Sequence, residues 1–260
     1  MNSRKFADCA LVATLMAAMP ATSFAACDAR SGPKTAALVE LYTSEGCSSC
    51  PPADRQLSRL RQALDPAAEV VPLALHVGYW DYIGWKDPYS QTAFGKRQNW
   101  LVHANQQKTV YTPQFFVGGT ELRSWRGGLR DKVRQVNALP AAAAIRVRAG
   151  IAPNGVLALN AEATSRAGAE PAALYLVLAE SGLVSKVERG ENGGVTLAHD
   201  HVVRVWIGPV RLSEGTARVE RDIALPADWK RARLELVAFV QGERSGGVLQ
   251  ALSATKCAGS

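Results

Sequence analysis

The hydrophobic positions between Lys34 and Leu139 change period several times, and each change predicts an element. Residues 36–43 form an apolar run broken only by Glu40, the length of a buried strand. Ala53, Leu57, Leu60 and Leu64 then recur at i, i+4, i+7 and i+11. That spacing predicts one face of a helix, for which Pro51 and Pro52 suit the first turn and Asp65-Pro66 the end. A second apolar run at 69–77 predicts another buried strand, and the aromatic block Tyr79–Trp85 follows without a period. After Pro88, residues Tyr89, Ala93, Trp100 and Ala104 share a helical face, with Phe94 and Leu101 beside it. Strands at 114–117 and 120–125 flank Gly118-Gly119 as a hairpin, and Leu129, Val133 and Val136 predict a closing helix.

The order β-α-β-α-β-β-α over residues 34–140 is that of a thioredoxin-like α/β domain. Beyond Ala141 the pattern shifts to short alternating segments at 144–149, 155–163, 172–179, 201–207, 216–224 and 233–241. Turn residues such as Pro153-Asn154-Gly155 and Asn192-Gly193-Gly194 separate them, so residues 141–260 are expected to form an all-β sandwich-like domain. At the other end, Arg4 and Lys5 precede an apolar run and Ser23-Phe24-Ala25 supplies small residues, which predicts a secretory signal peptide over 1–26. No other run has the length of a membrane span, so the expectation is a periplasmic or secreted protein.

Net charge changes this little. The formal +7 comes from scattered Lys and Arg, with no basic run interleaved with stacking aromatics, and nucleic acid is not an expected partner. Cysteine changes it more. Loss of the signal removes Cys9 and leaves Cys27, Cys47, Cys50 and Cys257, for which an oxidising compartment is the natural setting. Four cysteines permit three pairings. The close pair Cys47 and Cys50 forms the candidate redox unit, leaving Cys27 and Cys257 for a structural disulfide. Lipidation of Cys27 is the rival, against which Phe24 fits a lipoprotein signal poorly.

Cys47-Ser48-Ser49-Cys50 stands between a predicted strand and a predicted helix start, where the positive end of the helix dipole favours thiolate. Cys47 is the candidate attacking thiol and Cys50 the resolving one, while Glu45 opposes thiolate formation. Glu40, alone in an apolar strand, is a candidate proton carrier for Cys50, or else faces solvent or pairs with a basic residue. Thr112-Pro113, at a strand entrance after a crossover, is a candidate cis peptide that would frame an extended protein thiol or disulfide substrate. Tyr79 and Trp80 either line that groove or cap the core. No cofactor is required, although Cys47, Cys50 and His76 offer an alternative copper-binding set. A further alternative is a binding module in which the cysteine pair is static and the β-rich part engages an unknown protein. His199 and His201 read as surface or packing residues.

The block Glu40–Asp54 with its Cys-Ser-Ser-Cys-Pro-Pro core, His76-Val77-Gly78-Tyr79-Trp80-Asp81 and Tyr111-Thr112-Pro113-Gln114 together resemble the secreted DUF1223 family. Arg189-Gly190-Glu191-Asn192 and His201-Val202-Val203-Arg204 extend the likeness into the β-rich half. The resemblance implies a thioredoxin-like fold and a signal peptide, with no established reaction. Gly78 stands where the resemblance leads us to expect an Asp, which would alter the charge near the cysteines.

Overall fold

The computed structural model describes residues 27–166 and 170–257, so the signal segment expected at 1–26 lies outside the described residues. The chain runs through β1 (Cys27–Arg30), β2 (Ala37–Thr43), α1 (Pro51–Ser58), α2 (Leu60–Ala63), β3 (Val70–His76), α3 (Thr92–Ala104), β4 (Gln114–Val117), β5 (Thr120–Glu121) and α4 (Trp125–Asn137). It continues through β6 (Ala143–Ile151), β7 (Val156–Ser165), β8 (Ala172–Glu180), β9 (Leu183–Lys186), β10 (Thr196–His199), β11 (Val202–Arg211), β12 (Thr216–Ala224), β13 (Leu234–Gly242) and β14 (Val248–Ala254).

These strands correct the expected fold class. Among the described residues strand outweighs helix by 43% to 22%, and no separate thioredoxin-like α/β domain stands beside an all-β one. Instead β2 to β5 form one half of an eight-stranded mixed sheet ordered β14-β13-β8-β11-β3-β2-β4-β5. The two halves meet where the start of β11 runs parallel to β3, with Val202 opposite Ala74 and the Ala74 amide donating to the His201 carbonyl at 2.8 Å. The periodic signals are local, and local signals do not say which sheet a strand joins. A four-stranded sheet, β1-β6-β7-β12, and the small β9–β10 ladder complete the molecule.

The alternation of side chains across the large sheet sets its layers. All seven residues of β2 are buried. Ala37, Val39 and Leu41 pack with Ala53, Leu57, Leu129 and Val133 of the helices α1 and α4. Leu38 and Tyr42 turn the other way, onto Phe94, Leu101 and Val102 of α3. Strands β8 and β13 are buried over all nine residues because α3 and its aromatic neighbours cover one face and the four-stranded sheet the other. Strand β6, by contrast, alternates buried and accessible positions, leaving one face of the smaller sheet in water.

Two polar links cross this architecture. Glu40 points with Leu38 and Tyr42 onto α3, where Arg97 donates to it at 2.6 and 3.0 Å and to Gln241 of β13 at 2.8 Å. Arg97 and Gln98 are buried, so the inner face of α3 runs through Phe94, Arg97, Gln98, Leu101 and Val102; Phe94 and Leu101, expected beside the face, are in it, whereas Ala93, Trp100 and Ala104 are exposed or half-buried and Tyr89 precedes the helix. Elsewhere Arg61 of α2 pairs with Glu235 of β13, to which His201 Nδ1 also donates at 3.2 Å. Burial pushes the Glu235 carboxyl up, but the His201 and Arg61 hydrogen bonds outweigh it and hold the group at about 2.

Candidate functional site

Helix α1 starts as its sequence requires. Cys50 occupies the N-cap and Pro51 and Pro52 follow, so the missing proline N–H groups fall where a helix has no internal acceptor for them. The preceding turn is closed by the Cys47 amide donating to Ser44 O and the Cys50 amide to Cys47 O, each at 3.1 Å. Cys47 and Cys50 form a disulfide with a Cα–Cα separation of 5.4 Å, and both residues are fully buried, whereas Ser48 and Ser49 between them are exposed.

The cover over the pair comes from the distant β9–β10 hairpin. The Asn192 side-chain amide donates to the carbonyls of Glu45 and Cys47 at 2.8 and 3.0 Å. Glu191 accepts from the Ser48 amide at 2.9 Å, and that bond holds its carboxyl below the ordinary value. Loop 187–195 thus closes over the disulfide.

Behind the disulfide, where β2 and β3 end, lies a buried polar layer. Glu45 accepts from His199 Nε2 at 3.1 Å and from Trp85 Nε1 at 2.8 Å, while its own amide donates to Asp87 at 2.9 Å. His76 Nδ1 donates to the same Asp87 oxygen at 2.7 Å. Burial alone would lower the His76 pKa, but the Asp87 carboxylate outweighs it and raises it; burial raises Asp87, yet the His76 charge holds it low. The two imidazoles stand edge to face at 4.9 Å. Asp54, one helical turn after Cys50, completes the layer. Burial raises its pKa, against the opposing charges of His76 and His199. Four buried polar atoms here, Thr43 Oγ1, Asp54 Oδ1, His76 Nε2 and His199 Nδ1, have no partner within ordinary hydrogen-bond limits among the described residues, and the Thr43 hydroxyl stands near enough to Asp54 to pull its carboxyl pKa down against burial. Thr43 and His76 lie opposite one another in the parallel β2–β3 ladder, and α1 packs on β10, so one region of the interior gathers all four.

The residues singled out from sequence divide between this region and elsewhere. Glu40 lies on the α3 face, committed to Arg97, whereas α1 covers the opposite face of β2. Proton exchange with Cys50 is therefore not open to it, and the basic-partner reading is the one the geometry fits. The Thr112–Pro113 peptide is cis, and Thr112 Oγ1 accepts from Trp80 Nε1 at 2.8 Å. Trp80 in turn lies against Gly46, where an added Cβ would fall 3.0 Å from the Trp80 Cβ, so Trp80, with Thr112 bonded to it, flanks the turn that leads into Cys47. Tyr79 is 41% exposed beside them and Tyr82 fully in water at 82%. The copper set is not assembled: the two cysteines are bonded to each other, His76 Nδ1 is bonded to Asp87, and among the described residues no three His, Cys, Asp or Glu side chains are grouped to hold a metal ion. Cys27 and Cys257 form the second disulfide, with a Cα–Cα separation of 5.0 Å. Sequence reasoning missed Asp54, Asp87, Asn192 and the burial of Glu45 and His199. Asp54 carried a signal in its i+4 spacing from Cys50, and Asn192 in its Asn-Gly-Gly turn and the Arg189-Gly190-Glu191-Asn192 likeness.

The model of the family "Protein of unknown function (DUF1223)" matches residues 38–241, from β2 to β13. The chain belongs to the DUF1223 family. The match takes in the cysteine pair, the polar layer and the covering hairpin together. No curated protein matches this DUF1223 chain. Among solved structures it is similar to protein AGR_C_4864 from Agrobacterium tumefaciens, with 23% identity over 85% of this chain and 94% of that one and a TM-score of 0.59. It is also similar to HBP35 of Porphyromonas gingivalis, with 16% identity over 86% of this chain and 76% of that one and a TM-score of 0.66. Both likenesses concern the fold, and both span the two halves of the chain.

Proposed function

We propose that this DUF1223 protein exchanges thiols and disulfides with protein substrates through Cys47 and Cys50, in an oxidising compartment such as the periplasm or the medium. The observation that carries the reading is the buried polar layer behind the disulfide, in which four atoms lack a partner among the described residues. Buried polar atoms without partners are costly, and a disulfide that only stapled a turn would have no use for four of them. A leaving thiolate at the start of α1 is stabilised by the helix dipole, and a proton donor must neutralise it within the buried site. Two disulfides in one chain suit a compartment where thiols are not held reduced. Among the described residues no helix is long and apolar enough to cross a membrane.

In the proposed exchange a substrate thiolate attacks Cys47 Sγ, the Cys47–Cys50 bond breaks, and Cys50 leaves with the electron pair. A second substrate thiol then displaces Cys47, so the substrate dithiol is oxidised and the pair reduced; the reverse sequence reduces a substrate disulfide. Because both cysteines are buried, loop 187–195 has to lift first. The test is trapping. Cys50→Ser, exposed to periplasmic proteins from which free glutathione has been removed, should hold mixed disulfides on Cys47 that a reductant releases. A protein that forms none, and whose wild type leaves reduced insulin-like dithiol substrates unchanged, is not an exchange enzyme.

A further inference from the structure

We propose that Asp54 is the acid–base group of this site: protonated, it gives its proton to the Cys50 sulfur as that sulfur leaves Cys47, and it takes the proton back when the disulfide re-forms. The inference rests on the exchange reading above and assigns the proton that reading leaves unassigned.

The geometry begins with the helix. Cys50 and Asp54 are i and i+4, linked by the Asp54 amide donating to Cys50 O at 3.1 Å. Side chains of an α-helix lean toward its N-terminus, so Asp54 lies over the turn that holds Cys50. Both are buried, Cys50 completely and Asp54 to 7% exposure. Asp54 Oδ1 has no partner within ordinary hydrogen-bond limits among the described residues, the nearby Thr43 hydroxyl pulling its carboxyl pKa down against burial without meeting those limits. The other carboxylates of the region are engaged: Glu45 by His199 and Trp85, Asp87 by His76 and the amides of Glu45 and Tyr89, and Glu40 by Arg97 on the far face of the sheet. The charged and titratable groups facing Asp54 are His76 from β3, His199 from β10 and Asp87 from the loop after β3, while Glu45 faces His76. Burial raises its pKa, the direction that a proton donor at neutral pH requires.

The step balances. The attacking thiolate supplies the electron pair for the new bond to Cys47, the old sulfur–sulfur pair departs on Cys50, and the Asp54 proton converts that thiolate to a thiol, leaving Asp54 ionised. In the reverse step ionised Asp54 takes the proton from the Cys50 thiol, and the resulting thiolate attacks Cys47 of the mixed disulfide and expels the substrate thiolate.

The test is the pH profile of reduction of the full chain by dithiothreitol, with rates expressed per thiolate of reagent and thiols at Cys47 and Cys50 counted by mass spectrometry. In the wild type the rate per thiolate should fall as pH rises through the Asp54 pKa. Asp54→Asn should lower the plateau on the acid side by about 10²-fold and flatten the profile, and Asp54→Glu should restore its slope. In the reduced protein, ultraviolet thiolate absorbance should show the Cys50 titration moved in Asp54→Asn. An Asp54→Asn protein that is folded and keeps both the wild-type profile and the wild-type thiol titration overturns the assignment while exchange survives. A wild type that reacts only when unfolded overturns the exchange reading and this one with it.

Discussion

Asp54 is a residue whose cost should be visible in stability. Its folded pKa is raised, so between its ordinary value of 3.8 and its folded value the native protein holds a proton that the unfolded chain has released. Stability contributed at that site is therefore lost as pH rises through this window and is not regained above it. Asp54→Asn, which removes the titration, should be more stable than the wild type to urea at neutral pH and should lose that advantage on acidification below the ordinary carboxylate range. At this scale the sequence was legible where residue type and spacing combine, as for Cys47 and Cys50. It was not legible for Glu40: a carboxyl in an apolar strand announces that it needs a partner, but only folding brings Arg97 from 57 positions away. His199 was hidden for the same reason, since its role comes from Glu45, 154 positions distant.

The element that decides access is the β9–β10 hairpin, two strands of four residues each. Strands this short carry too few alternations to be read from a hydrophobic pattern, whereas the longer β6, β7, β8, β11, β12 and β13 carry enough. The turn signal Asn192-Gly193-Gly194 was visible, but not that Asn192 seals the cysteine turn. Its two hydrogen bonds are worth about 1 kcal/mol each. Asn192→Ala should speed reduction of Cys47–Cys50 by dithiothreitol roughly 30-fold by making the lifted loop more populated. An unchanged rate would mean that loop 187–195 does not limit access. Helix α1 is the opposite case, because Pro51-Pro52 and the spacing of Ala53 and Leu57 mark both its start and its inner face through residue type and period alone.

Across the whole molecule, the element order over 34–140 was legible and the fold class was not. Strand, helix and turn each have a local period, but the pairing of β11 with β3 depends on contacts between residues over 120 positions apart. The apolar stretches Ala172–Ala179 of β8 and Leu236–Val240 of β13 do not alternate as expected, and a strand buried on both faces belongs inside a covered sheet. The large sheet, the Arg61–Glu235 pair and the Cys27–Cys257 disulfide tie the two halves together. That disulfide closes a separation of 230 residues, for which chain entropy gives a stabilisation of about 5 kcal/mol at most. It belongs to the frame that holds the polar layer, not to the chemistry. The reduction potential of Cys47–Cys50, measured against glutathione in a Cys27→Ser/Cys257→Ser protein so that a single couple is read, tests the central claim most directly. An exchange pair predicts a potential above about −300 mV, within reach of substrate thiols, and a value below that would make the pair a structural staple.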